Sequence, residues 1–283
     1  MYSRGCPFSC VYCSSKNMWG KKVVWRDPKR VLDEIEYLYN EYGTNLVFFP
    51  DLTFNIDKKK VIEICNEFVK RDLPVHWAAF FRLDKLDKEM LYAIEEAKCV
   101  KIHLGIETDS INADNLKDDY SISKEDYHQI LNTADEIGLL IRGYLMIGFP
   151  SDTEEKIRNY SIFLRTLSID EIIVSFVTPF PGTQIWDEYR QCYLPKDYDF
   201  SEFTVETPVI NHPILSRQQL LDLRMEVIKK FYLDTAYQER ILRKIENFPH
   251  LKNSYLEYFE FLEGCGIFKK NQLKGQLNLR RQL

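Results

Sequence analysis

The chain has 283 residues, of which 45% are hydrophobic and 29% charged, and its net charge is −5. That balance can bury a core, which excludes a disordered or fibrous chain, and the acidic excess argues against a nucleic-acid partner, since such binding needs Lys and Arg facing phosphate. No apolar run approaches the ~18 residues of a membrane span and no signal peptide opens the chain, so a cytoplasmic protein without a membrane partner is expected.

The length suits one α/β barrel or two domains of about 150 residues. Three of the seven cysteines fall within the first thirteen residues. An odd, clustered set of that kind points to metal or redox chemistry rather than a disulfide framework. Only a stub, Met1 to Ser3, precedes this cluster. Asp27-Pro28 then opens a helix whose apolar face is Val31, Leu32, Ile35, Leu38 and Tyr39, ending near Tyr42-Gly43. A short strand, Leu46 to Phe49, is followed by a helix with Val61, Ile64, Cys65 and Phe68 on one face. Strands are predicted at Val75–Phe81, Val100–Ile106, Leu140–Ile147 and Ile172–Val177, and helices at Asp87–Ala97, Ser123–Ile137 and Asp152–Leu167. Strands alternating with helices of this length mean βαβ units and a parallel sheet.

The texture changes after Pro181-Gly182. Residues 183–215 carry little periodicity. Residues 216–246 read as one amphipathic helix capped by Ser216, and 251–263 as another. The tail from Ile267 has five Lys or Arg and no acid, and reads as a solvated terminus. The expected division is a barrel core over 1–182 and a mainly helical extension over 183–283.

Cys6-Pro7-Phe8-Ser9-Cys10-Val11-Tyr12-Cys13 is a C-x3-C-x2-C loop. Three thiolates so spaced suit three irons of a cubane 4Fe-4S cluster, sulfur being soft and the cluster needing several close ligands. The fourth iron keeps an open position for a substrate or cofactor, as an open catalytic zinc does. A zinc knuckle of three cysteines and a distant His is the bland alternative, but no paired Cys or His follows at finger spacing. The remaining thiols, Cys65, Cys99, Cys192 and Cys265, read as bystanders.

Arg4-Gly5-Cys6-Pro7-Phe8-Ser9-Cys10-Val11-Tyr12-Cys13 resembles the signature of the radical S-adenosylmethionine (SAM) enzymes. Asp51-Leu52-Thr53-Phe54-Asn55, Gly105-Ile106-Glu107-Thr108, Gly148-Phe149-Pro150 and Thr178-Pro179-Phe180-Pro181-Gly182-Thr183 resemble its cobalamin-associated branch of methyltransferases and cyclases, in order, over roughly residues 3–240. The resemblance implies a partial (βα)6 TIM-like barrel with a helical C-terminal extension. It implies a cluster on Cys6, Cys10 and Cys13 after the first strand, and a sixth strand where only a stub is present. It also implies SAM on the open iron, cleaved by one electron to a 5′-deoxyadenosyl radical that abstracts hydrogen from a small-molecule substrate. Methylation or cyclisation would follow, with an electron donor such as flavodoxin or ferredoxin as partner. Branch members carry an N-terminal cobalamin domain. Nothing precedes the cluster here and no Asp-x-His-x-x-Gly element appears, so cobalamin would come from another domain or chain, or the chain is a fragment or a cobalamin-free relative. A methylthiotransferase or other radical SAM oxidoreductase, and a non-catalytic iron–sulfur protein or remnant, are the other readings.

Side chains of a barrel strand alternate between lumen and helices. In 100–107 the apolar set Val100, Ile102, Leu104 and Ile106 should face the helices, and Lys101, His103, Gly105 and Glu107 the lumen. The same reading turns Arg142, Tyr144 and Met146 inward, and His76, Ala78, Phe80 and Arg82 share a parity. Active sites of parallel barrels sit at the C-terminal strand ends. Asp51, Arg82, Glu107 and Ser175 fall near those ends, with Arg142 deeper. If SAM binds there, Glu107 and Arg142 are expected at its ribose or methionine end and Arg82 at its carboxylate. Met146 and the Val174–Val177 stretch, including Ser175 and Phe176, are expected at its adenine, with Tyr12 nearby. The alternative is an internal Glu107–Arg142 ion pair. His103 is a candidate lumen residue but reads more readily as a satisfied buried histidine.

Overall fold

A computed structural model of the chain describes residues 1–106 and 122–277. The chain forms two compact units, one of Met1–Met146 with Ser168–Ile210, the other of Ile147–Leu167 with Asn211–Leu283.

The first unit opens with β1 (Ser3–Arg4), α1 (Ser15–Trp19) and β2 (Val24–Trp25), followed by α2 (Pro28–Tyr42). It continues through β3 (Leu46–Phe49), α3 (Lys58–Arg71), β4 (His76–Phe81), α4 (Lys88–Glu96), β5 (Cys99–Gly105), α5 (Lys124–Glu136), β6 (Leu140–Ile147) and β7 (Glu171–Phe176). The helices α2 to α5 start where the sequence supplies a cap. Asp27 accepts from the Lys29 amide with Pro28 in the first turn, Asp57 caps α3, Asp87 caps α4 and Ser123 caps α5. Gly43 ends α2 in the left-handed region at φ 66°.

Among the described residues the main sheet has five strands in the order β3-β4-β5-β6-β7. Adjacent strands from β3 to β6 run parallel, with Phe80 opposite His103 and His103 opposite Arg142. The α/β class and the βα alternation are as the sequence predicts. The sheet's helix-side core is aromatic. Trp77 is fully buried, stands against Phe49, Phe54, Phe68 and Phe81, and donates from Nε1 to the Ala97 carbonyl at 2.7 Å. Val31, Leu32 and Ile35 of α2 and Val61, Ile64, Cys65 and Phe68 of α3 are buried, as their periodicity requires.

Three expectations change. In place of a sixth parallel strand, β1 pairs antiparallel with β2, Ser3 opposite Trp25. The long helix expected over 216–246 is two, α8 (Arg217–Tyr232) and α9 (Thr235–Asn247), numbered after α6 (Glu154–Arg165) and α7 (Gln184–Tyr189). The break falls at Leu233-Asp234 because the Asp234 carboxylate accepts from the Tyr237 amide and starts a new helix. The basic tail is solvated only in part: Lys269 and Lys270 are exposed, but the apolar positions around them are not. After α10 (Lys252–Gly264) and within and beyond α11 (Gln272–Gln276), Phe268, Leu273 and Leu277 are buried, and Lys274 pairs with Glu260.

Removing the indole that organises the sheet's helix side leaves a large cavity and an orphaned carbonyl. Trp77→Ala is expected to cost about 3–5 kcal/mol, read as a lower urea midpoint at unchanged slope.

Candidate functional site

The cysteine loop is fixed at its entrance by backbone geometry. Gly5 has φ +93°, and a Cβ there would lie 2.1 Å from the Lys22 carbonyl oxygen, so only glycine lets the two segments meet. The Cys6 amide then donates to the Gly20 carbonyl at 3.3 Å, and the Cys13 amide to that of Cys10 at 3.1 Å. All three loop thiols are half-buried, and the Cys13 Sγ lies 3.1 Å from Ser15 Oγ. Burial pushes the Cys6 thiol pKa up. Hydrogen bonds from the Phe8 amide and the Thr53 hydroxyl, and the Arg82 charge, oppose that shift.

The segment 51–55 holds this loop from behind. Asp51, 1% exposed at the end of β3, accepts from the Tyr2 amide at 3.0 Å, from the Ser3 amide and from Ser3 Oγ at 2.7 Å. Phe54 is buried against the rings of Tyr2 and Trp77. Asn55 brackets the Arg82 backbone, donating to its carbonyl and accepting from its amide, both at 2.8 Å. Arg82 so held makes two bonds to buried Asp84, at 2.9 and 2.8 Å, and lies 3.7 Å over the Phe8 ring of the cysteine loop.

On the other side the loop meets the segment after β7. The Asn17 side chain donates to the Gly182 carbonyl at 2.5 Å and the Ile185 amide to that of Val11 at 3.2 Å. Gly182 sits at φ +81°, and Thr183 caps α7 through the Trp186 amide at 3.2 Å.

The lumen face carries a wall of rings from four successive strands. Phe48, Phe80, His103 and Tyr144 stand 5.1–5.9 Å apart between centroids. His103 Nδ1 and Tyr144 OH are 2.9 Å apart. Lower down, buried Glu171 takes Lys101 Nζ at 2.7 Å and Arg142 Nε. Burial, helped by the Arg142 and Lys101 charges, pushes His103 down to about 3, so the imidazole is neutral.

The expected site residues therefore separate. Cys6, Cys10, Cys13 and Tyr12 share the loop, and Asp51 and Arg82 lie behind it. Their polar groups meet the chain itself, Asp51 through the first residues and Arg82 through Asp84 and Phe8. Arg142 lies near the start of β6 and pairs with Glu171. Glu107 lies outside the described residues. Met146 and Ser175 are half-exposed, on the parities of Tyr144 and Glu171. Phe176, one residue on, is 1% exposed and has the opposite parity, because a strand cannot turn neighbouring side chains to one face. Sequence reasoning passed over Thr53, Asn55 and Asn17. The first two stood inside a quoted motif, and Asn17 had no signal. Cys65 and Cys99 are buried, which raises both thiols, Cys65 to about 12, as inert core thiols require.

Residues 1–164 match the family model of the Radical SAM superfamily. The chain belongs to the radical SAM superfamily. It is 30% identical over 233 residues to an uncharacterized methyltransferase of Pyrococcus horikoshii, covering 82% of this chain and 50% of that protein. It is 32% identical over 239 residues to the anaerobic magnesium-protoporphyrin IX monomethyl ester cyclase of Cereibacter sphaeroides, covering 83% and 38%. The chain thus spans about half the length, or less, of these relatives. In fold it resembles the radical SAM methyltransferase TsrM of Kitasatospora setae, solved with cobalamin and a [4Fe-4S] cluster bound. The TM-score is 0.61 at 21% identity, over 68% of this chain and 36% of that one.

The loop's donor set fits the cluster that marks radical SAM proteins. It offers three half-buried thiols and hydrogen bonds to the Cys6 sulfur, with a buried guanidinium close enough to favour its thiolate. Among the described residues no three His, Cys, Asp or Glu side chains converge on a single-ion site. A cubane instead takes its thiolates on separate irons.

Two outcomes follow for the radical SAM barrel. Asp51→Ala strands buried donors of Tyr2 and Ser3 and is expected to cost about 1–3 kcal/mol for each unpaired group. Iron retained after anaerobic reconstitution and desalting falls well below wild type, with Asp51→Asn between the two. His103 has a folded pKa below its unfolded value of ~6.5, so on acidification the unfolded chain takes the proton first. Its contribution to stability, full above pH ~6.5, is lost as pH falls toward the folded value of about 3, at up to about 1.4 kcal/mol per pH unit. Urea midpoints from pH 7 to 5 should fall more steeply for wild type than for His103→Phe.

Proposed function

We propose that this chain is the catalytic barrel of a radical SAM enzyme that methylates a small-molecule substrate or closes a ring on it. The observation that carries the reading is the three-thiol loop, half-buried and clasped between the first residues of the chain and the segment after β7. In this reading Cys6, Cys10 and Cys13 hold a 4Fe-4S cluster, with its fourth iron left to SAM. When bound, the cluster supplies one electron that cleaves the SAM sulfonium to methionine and a 5′-deoxyadenosyl radical.

The chain's own residues do the rest by placement. Tyr12, Met146 and Ser175 are assigned to the SAM adenosine, and Glu107 to its ribose. Asp51 and Arg82 act as positioning residues, Asp51 through the amides of Tyr2 and Ser3 and Arg82 through its place over the Phe8 ring. Phe48, Phe80 and Tyr144 offer the substrate an apolar wall, which suits a radical that must be kept from water. His103, neutral and hydrogen-bonded, adds no charge to that wall.

The named methyltransferase and cyclase relatives support methylation or cyclisation. Cobalamin would be supplied by another domain or chain, and a flavodoxin or ferredoxin would supply the electron. Among the described residues no helix is long and apolar enough to cross a membrane, and a cytoplasmic location is part of the reading.

The test is direct. After anaerobic cluster reconstitution, dithionite and SAM should yield 5′-deoxyadenosine, and Cys10→Ala should abolish it. A well-loaded wild-type cluster that yields none would overturn the enzyme reading and favour an electron carrier.

A further inference from the structure

The outer side of the cysteine loop is basic in a chain that is acidic as a whole. Residues 1–26 contain Arg4, Lys16, Lys21, Lys22 and Arg26 and no acidic residue, in a chain of net charge −5. Arg26 is spent on Glu34. Arg4, Lys21 and Lys22 are exposed and Lys16 is half-buried. Between them stand Met18, 73% exposed, and Trp19, 47% exposed. Large apolar side chains left in water within a basic rim are the composition of an interface: Met, Trp and Arg are enriched in interface cores, and rim charges steer encounter.

The backbone ties this surface to the cysteine loop. The Gly20 carbonyl accepts from the Cys6 amide at 3.3 Å, the Lys22 carbonyl lies against Gly5, and Ser15, which opens α1, contacts the Cys13 sulfur.

We infer that the surface of Arg4, Lys16, Met18, Trp19, Lys21 and Lys22 docks an acidic one-electron carrier protein, a flavin or iron–sulfur donor, that reduces the cluster. The inference rests on the reading of the loop as a cluster site. The step balances simply: the reduced donor loses one electron, the oxidised cluster gains it, and no bond or proton changes hands. Charge complementarity selects this occupant. A second copy docked on the same patch would set like charge against like. Redox encounters also use small interfaces, steered by charge and weakened by salt.

The probe is flavodoxin, with the full chain. Binding of oxidised flavodoxin to the chain, measured by calorimetry, should be salt-sensitive and should weaken at least tenfold in Lys21→Glu/Lys22→Glu. The Lys70→Glu/Lys88→Glu control, exposed on α3 and α4, should bind as wild type. In stopped-flow, bleaching of the reconstituted cluster by reduced flavodoxin should slow at least tenfold in the same variant, while iron content and dithionite reduction stay unchanged. Wild-type affinity and rate in the charge-reversed chain would overturn the proposal, as would salt-sensitive binding of a transfer RNA to the patch with none of flavodoxin. If dithionite also fails to reduce a loaded cluster, the cluster reading itself fails and takes this proposal with it. If only flavodoxin fails, the docking surface alone is wrong.

Discussion

A carboxylate buried at the end of β3 sets where the chemistry can be. Asp51 gathers the amides of Tyr2 and Ser3 and the Ser3 hydroxyl. Two peptide units later Gly5 turns the chain into the cysteine loop. A buried charge is tolerated only when several donors answer it, and here the donors belong to the segment that must be placed. The same five residues continue the work. Thr53 reaches the Cys6 sulfur, Phe54 seats the Tyr2 ring, and Asn55 fixes the backbone of the arginine that lies over Phe8. One short loop thus ties the first residues, the cysteine loop and β4 into a single frame.

The lumen is organised on a different principle. Its upper wall is aromatic, its lower part ionic, and Glu171 is the hinge between them in charge terms. By engaging Lys101 and Arg142 together it keeps two cations beneath the ring wall. Burial keeps His103 neutral, and those cations add to the effect. A buried ion cluster of this sort adds little net stability. What it does here is to reinforce the neutrality of the His103 imidazole, which meets the Tyr144 hydroxyl within the ring wall.

Much of this could be read from sequence because it depends on local rules. The helix starts at Asp27, Asp87 and Ser123 and the 3.6-residue faces of α2 and α3 placed the helices. Period-2 alternation turned Lys101, His103, Arg142 and Tyr144 inward, and the C-x3-C-x2-C spacing marked the thiols. The failures are also physical. Asp234 was read through because an aspartate inside an amphipathic pattern looks like an exposed polar position, and its capping role shows only when the Tyr237 amide turns to it. Phe176 was grouped with Ser175 by proximity in sequence, although strand parity separates them. The contacts of Asp51 and Arg82 with residues 2, 3 and 8 have no sequence signal, because they pair across dozens of positions and leave no periodic trace.

The clasp between Asn17 and Gly182 joins positions 165 residues apart. Such a contact carries a heavy loop-closure cost and forms late, after the intervening strands have been laid down. The thiols, by contrast, leave the ribosome well before Gly182. A nascent chain therefore displays three reactive cysteines long before their enclosure exists. Insertion of a cluster belongs to the end of folding rather than the beginning, and the interval between the two is when these thiols are open to oxidation.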